Sequence, residues 1–415
     1  MNRDFKKILM GASVVTVLPG AAMADFFKDS SANLDTKNYY FNRDYREASK
    51  QSKRDEWAQG FTFNFISGYT PGTVGFGLDV TGMLGVKLDS SPDRSGTGLL
   101  PKGSDGRAAD EYSKLGVAGK VRISKTELRV GEQVPKLPVL QPNTSRLFPQ
   151  TFQGATVSSK DISNLTLGLG QFDRMRDRES TDRETMSMTA QNGAYKAATS
   201  NQFRYAGGDY NLLPDLQLSY YYGELERLYQ QHFFGLKHAF KFGPGTVRSE
   251  LRYWDADKDG AGLAGKVDNR ALSTRFSYEW AGHNFGVGYQ KQYGDTPFPY
   301  VDGANTYLFT EYQLVNFSQT NERAWHARYE YDFAALGVPG LTFGMRYAQG
   351  WGIETTKLVG EQGREWERDL DIGYVVQSGL VKGLSLRWRN AQLNSSYAND
   401  INENRFIVGY TWALW

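Results

Sequence analysis

The side chains with the clearest chemistry are arginines that recur beside aromatic or aliphatic residues. Arg248 and Arg252 alternate with Val247, Leu251 and Tyr253, Arg275 with Phe276, Arg328 with Tyr329, and Arg346 with Tyr347. Near the C-terminus Arg387 and Arg389 flank Trp388, and Arg405 precedes Phe406. A guanidinium stays charged at any relevant pH and holds a carboxylate by two parallel hydrogen bonds. A row of such groups can pass an anion along if each site is moderate, because one deep site would trap it. The same arrangement has a plainer use, pairing with the acids Glu250, Glu279, Glu330, Asp332, Asp369 and Asp371. For Arg252, Arg275 and Arg328 that pairing is the favoured reading.

Other chemistry is poorly provided for. There is no cysteine, which excludes disulfides and thiolate nucleophiles or metal ligands. The only histidines are His232, His238, His283 and His326, none set in a recognisable catalytic motif with serine or acid. No metal, nucleotide or redox motif stands out, so no cofactor is expected.

The arginines need elements that aim them. Phe61, Phe63 and Phe65 alternate with polar residues, and Val74, Phe76, Leu78, Val80, Leu84, Val86 and Leu88 share one face of a long strand. Leu115, Val117, Val121 and Ile123 face one way, with Lys114, Lys120 and Arg122 the other. The pattern returns at Leu165–Phe172, Leu216–Leu225, Phe233–Phe242, Val247–Tyr253, Leu272–Trp280, Phe285–Tyr289, Trp325–Phe333 and Leu341–Tyr347. It ends with Leu370–Val376, Leu384–Trp388 and Phe406–Leu414. With weaker segments near 37–46, 126–132, 183–190, 201–208 and 305–315, the sum is about eighteen strands. Aromatic residues at 14% and 45 glycines suit strands that show lipid only alternate residues. The expected fold is all-β, a transmembrane antiparallel β-barrel, closed because open edges are not tolerated in lipid. Tight junctions at Gly243-Pro244-Gly245, Ala281-Gly282 and Pro339-Gly340 predict periplasmic turns. The polar stretches 90–110, 173–183, 256–269 and 294–304 predict long extracellular loops.

Residues 1–24, with a basic start, an apolar run and Ala22-Met23-Ala24, read as a cleavable secretory signal. Removing them takes three basic residues and Asp4 from totals of 48 and 46, leaving 45 of each sign. That balance argues against a nucleic-acid binder. Residues 25–415 then form a single barrel. Within it Gln133 to Gly154 holds four of the 13 prolines and is expected to be a loop. Its Leu137, Val139, Leu140, Leu147, Phe148 and Phe152 are too apolar to wave in water. They predict an ordered loop (133–154) folded inward against the wall, with its lone arginine, Arg146, presented to whatever passes. A barrel hydrolase, a structural anchor or adhesin, and a general unselective pore are the rival readings.

Several landmarks run in order along the chain: NYYFNRD (Asn38–Asp44), WAQGF (Trp57–Phe61), GTVGFG (Gly72–Gly77), KVRISKT (Lys120–Thr126), SRLFPQT (Ser145–Thr151), GVPGLTF (Gly337–Phe343) and YVVQSG (Tyr374–Gly379). Together with Ser385–Arg389 and Glu403–Tyr410, they resemble the outer-membrane carboxylate channels, the OprD-type porins of Gram-negative bacteria. The resemblance implies a substrate-selective porin, not an enzyme. It also implies a third loop folded inward and a ladder of basic residues that guides small carboxylate solutes by passive diffusion. On that basis Arg146 is the constriction-loop arginine, and Arg43, Arg54, Arg387, Arg389 and Arg405 belong to the ladder. Lys120 and Arg122 complete the candidate substrate-binding set. An acidic residue expected opposite the arginines is missing at Ala304-Asn305. The expected partners are small carboxylates, outer-membrane lipid and lipopolysaccharide, and the barrel-assembly machinery during biogenesis. The expected state is a monomer or loose homo-oligomer.

Overall fold

The computed structural model describes residues 25–46, 51–358 and 360–415. The proposed secretory signal lies outside the described residues. Eighteen antiparallel strands form one sheet that closes on itself. They begin with β1 (Ser31–Tyr45), β2 (Lys53–Ile66), β3 (Val74–Asp89), β4 (Glu111–Ile123), β5 (Thr126–Gln133) and β6 (Thr151–Ser159). Next come β7 (Leu165–Arg176), β8 (Phe203–Leu213), β9 (Leu216–Leu225), β10 (Tyr229–Phe242), β11 (Gly245–Lys258) and β12 (Asp268–Trp280). The circuit ends with β13 (His283–Tyr293), β14 (Arg323–Asp332), β15 (Leu341–Ile353), β16 (Gly363–Val375), β17 (Ser385–Ser395) and β18 (Ile401–Ala413). Each strand pairs with the next, and β18 pairs with β1 in a register that sets Glu403 opposite Arg43.

The alternation of the sequence is the wall of the barrel. Phe76, Leu115, Phe276, Val287 and Phe406 are exposed on the outside, where lipid covers them, and their polar neighbours point inward. At one end the strands join by short turns. Ala281 and Gly282, both at positive φ (48° and 84°), make the two-residue link between β12 and β13. That geometry matches the twist of a hairpin. The other end carries the long loops 90–110, 134–150, 177–202 and 294–322. By the usual polarity of such barrels the turns are periplasmic and the loops extracellular.

These four loops do not simply project outward. Val139, Leu140, Met186, Met188, Tyr195, Phe298, Val301 and Leu308 form one buried cluster with the wall residues Phe233 and Trp254. Leu99, Leu100, Leu147 and Phe148 form another with Phe41, Ala58 and Tyr112. Three expectations change as a result. Loop 90–110 is partly luminal rather than purely external. Segments 183–190 and 305–315 are not barrel strands, the first holding only the two-residue strand Met186–Ser187 and the second lying in the lumen. In their place Thr151–Ser159 is a wall strand, so the proline-rich loop narrows to 134–150.

Candidate functional site

Loop 134–150 lies flat because two glycines make room for it. A Cβ at Gly60 would sit 3.2 Å from Leu147 Cδ2 and 3.3 Å from Phe148 Cε1. On the far wall a Cβ at Gly223 would come within 2.7 Å of Val139 Cβ. Polar contacts then fix the tip: Lys37 Nζ donates to the carbonyls of Arg146 (3.1 Å) and Leu147 (3.2 Å). Tyr39 Oη donates to the Ser145 carbonyl at 3.2 Å. Gln150 Nε2 reaches Asp177 Oδ1 (3.1 Å) and the Asp302 carbonyl (2.9 Å), joining this loop to 177–202 and 294–322.

Arg146 is thereby held in one pose. Its Nε donates to the Thr97 carbonyl (2.7 Å), and its Nη1 to the carbonyl (3.0 Å) and Oγ (3.1 Å) of Ser145. The guanidinium stands 4.8 Å from the Phe41 ring centroid, and those of Arg43 and Arg405 stand at 5.4 Å and 5.6 Å. Three cations therefore share one aromatic ring. Glu403, fully buried, bonds Arg43 (Nε, 2.6 Å) and Arg405 (Nε, 2.5 Å), and accepts from Gln313 Nε2 at 2.9 Å. Arg146 has no ion pair of its own, and its Nη2 bonds to none of the described residues. Burial, then the charge of Arg405, lowers its pKa to about 9, so it stays protonated at neutral pH.

Loop 294–322 forms the opposite side. Glu367 of β16 accepts the backbone N–H groups of Gln313, Leu314 and Val315, each at 2.9 Å, and so pins the loop to the wall. Glu311 accepts from Thr306 N (2.8 Å) and Oγ1 (2.5 Å). Burial pushes the Glu311 carboxyl up, and the Thr306 bonds oppose the shift. Between the loops is a cavity of about 390 Å³ lined by Arg43, Arg146 and Arg178 on one side and by Asp302, Glu311 and Tyr312 on the other. The acid missing at Ala304-Asn305 is thus supplied by neighbours in the same loop.

Glu367→Ala should leave three backbone donors without a partner, each charge-assisted bond being worth about 1.5–3 kcal/mol. The loop should then swing off the wall, giving a larger and noisier single-channel conductance in planar bilayers. Unchanged conductance would show that the loop is held by its apolar contacts alone.

The remaining candidates are distributed along the lumen. Arg387 and Arg389 share Asp371, with Nε distances of 2.7 Å and 3.1 Å. Arg346 pairs with Asp369 and Arg328 with Glu330. All of these line a second cavity of about 430 Å³ on the periplasmic side. Arg275 pairs with Glu250, as expected, and Arg252 reaches the same acid at 3.9 Å while lying between the rings of Tyr307 and Phe309, 3.8 Å from each centroid. Arg405 is just 2% exposed, so its guanidinium is not open to the lumen. Lys120, bonded to Asp79 (2.7 Å) and the Ser67 carbonyl (2.9 Å), and Arg122, 4.0 Å from the Tyr69 centroid, sit near the short-turn end, away from the narrow point. Arg54 lies on the extracellular side, 5.4 Å from the Tyr45 centroid. Arg178, Glu403, Asp302 and Glu311 are the site residues that sequence reasoning missed.

A closed eighteen-strand barrel, apolar outside and narrowed inside by charged loops, defines an outer-membrane porin. Residues 24–414 match the outer membrane porin, OprD family. The chain is 40% identical over 402 residues to the porin-like protein GalP of Pseudomonas putida, covering 96% of this chain and 95% of that one. It is 37% identical to Porin D of Pseudomonas aeruginosa over 413 residues, covering 94% and 92%. Among solved structures, OccK9 (OpdG) of Pseudomonas aeruginosa superposes with a TM-score of 0.91 at 45% identity, covering 94% of this chain and all of that one. OpdK of the same species, crystallised with vanillate, gives 0.88 at 39% identity with the same coverage. The chain belongs to the OprD family of outer membrane porins. It is a channel of the Gram-negative outer membrane and not an enzyme.

Proposed function

We infer that this porin passes small water-soluble carboxylates down their gradient: organic acids, amino acids or related nutrients, and some antibiotics. The observation that carries this reading is the unpaired Nη2 edge of Arg146 at the narrow point, with Arg43 and Arg178 beside it. A carboxylate there gains a charge-assisted hydrogen bond without first breaking an ion pair. Below it the arginines alternate with Asp369, Asp371 and Glu330. This keeps each later site shallow, as conduction requires, and suits solutes that also carry a cationic group. Lys120 and Arg122 would serve the periplasmic exit, and Arg54 the entrance. Vanillate is itself a carboxylate, and its presence in OpdK supports the class of solute, though not its identity.

Liposome swelling with size-matched pairs, such as benzoate against benzyl alcohol, tests the reading. Faster entry of the carboxylate in each pair is expected. Equal rates throughout would leave a general, unselective pore as the better description.

A further inference from the structure

The outer surface of the barrel carries a feature that solute passage does not use. Tyr289, Trp325, Tyr347 and Trp366, on β13 to β16, point away from the lumen. The Trp325 and Tyr347 rings are 5.4 Å apart and those of Tyr347 and Trp366 6.0 Å. Aromatic side chains gather in this way at the lipid headgroup level, so they mark the extracellular limit of the hydrocarbon. One step further out on the same face stand Lys291, Arg323 and Arg364, with Arg270 beside them on β12. Their inward neighbours Gln290, Gln292, Ala324 and Glu365 are buried, which fixes the four cations on the outside.

Register brings the cations together. Lys291 is opposite Arg323, Arg323 is opposite Trp351, and Trp351 is opposite Arg364. Arg270 is opposite Tyr293 one strand over. Arg323 and Arg364 are therefore two strand spacings apart, about 10 Å. A groove of about 340 Å³ opens among Arg270, Lys291, Tyr293, Arg323 and Trp351. Four acids are near: Asp255, opposite Arg270, Glu354, on the rim of the groove, and Asp268 and Asp295, both paired with Lys266. Among the described residues none of these acids comes within ion-pair distance of any of the four cations, and the last two are taken up by Lys266. Two outward cations elsewhere near the extracellular end do have acid partners, Arg204 with Glu224 (3.5 Å) and Lys53 with Asp55 (2.6 Å).

We propose that Arg270, Lys291, Arg323 and Arg364 form a binding site for the phosphorylated disaccharide headgroup of lipopolysaccharide in the outer leaflet. Guanidinium groups hold phosphate by forked hydrogen bonds, and Lys291 adds a point charge. The groove opens sideways just above Trp325 and Val287, both exposed to lipid. A phosphate carried on acyl chains therefore gains apolar contact that free phosphate cannot.

The test uses the full barrel in detergent, titrated by native mass spectrometry with bisphosphorylated lipid A, its dephosphorylated form, phosphatidylglycerol and inorganic phosphate. Bisphosphorylated lipid A should bind more tightly than the other three. The triple variant K291Q/R323Q/R364Q should weaken that binding about a hundredfold, at about fivefold per cation. K53Q/R204Q should bind as the parent does. Single-channel conductance of the triple variant should match the parent, because none of these side chains reaches the lumen, and so reports an intact fold. The proposal is overturned if the triple variant binds lipid A normally or the dephosphorylated lipid binds equally well. It is also overturned if phosphatidylglycerol or inorganic phosphate binds as tightly as lipid A.

Discussion

Replacing Glu403 by glutamine is expected to destabilise the barrel by about 3–5 kcal/mol, the usual cost of stranding a buried charge whose partner is removed. Two charges would be stranded, since Glu403 alone balances Arg43 and Arg405, whose side chains are 16% and 2% exposed, and Arg146 lies on the same ring. The hydrogen bond from Gln313, which ties loop 294–322 to the wall at this point, would also lose its charged acceptor. Thermal unfolding of the detergent-solubilised protein, followed by tryptophan fluorescence or by heat-modified migration, should show a clearly lower midpoint. The double variant E403Q/R405Q should recover part of that loss, because one of the two uncompensated cations goes with it. A single variant that melts with the parent would mean that the acid is not needed to keep these arginines buried.

The largest functional effect should come from Arg146→Gln. This change removes the cation at the narrow point that has no ion-pair partner, yet glutamine can still fill part of the same volume against Phe41. A hydrogen bond to a charged group contributes about 1.5–3 kcal/mol, so preference for a carboxylate over a neutral solute of equal size should fall roughly tenfold or more. Reversal potentials in a salt gradient should shift toward cations at the same time. Arg146→Lys should keep the anion preference and lose part of the carboxylate preference, since a point charge cannot offer the planar fork. Unaltered reversal potentials in R146Q would remove Arg146 from the selectivity mechanism and leave the paired arginines to account for it.

The sequence shows the wall of the barrel well and its lumen less well, for physical reasons. The lipid face repeats every second residue, and the apolar run from Val74 to Leu88 is almost the whole of β3. Thr151–Ser159 escaped because its outward residues, Gln153, Ala155, Val157 and Ser159, are small or polar. Segment 305–315 misled in the opposite sense. Its Tyr307 and Phe309 are apolar because they enclose Arg252 inside the barrel, not because they face lipid. Arg146 was legible as the lone arginine in an apolar, proline-rich loop. Glu403 was also within reach, two residues before Arg405 and hence on the same face. Arg178 was not, because nothing local distinguishes a charged loop in water from one folded down a pore. The share that loop 294–322 takes in the narrowing depends on Glu367, more than fifty residues away in the chain.

The Arg43–Glu403 contact also spans the seam where the first strand made meets the last. β1 and β18 pair directly, and Ala32 N donates to the Trp415 carbonyl at 3.2 Å. The filter is therefore incomplete until β18 docks on β1, since Glu403 and Arg405 lie on β18. A barrel stalled one strand short has both an unpaired edge and an unneutralised Arg43 at its mouth. Sealing the wall and completing the filter are one event in biogenesis, so an incompletely closed intermediate cannot already be a selective pore.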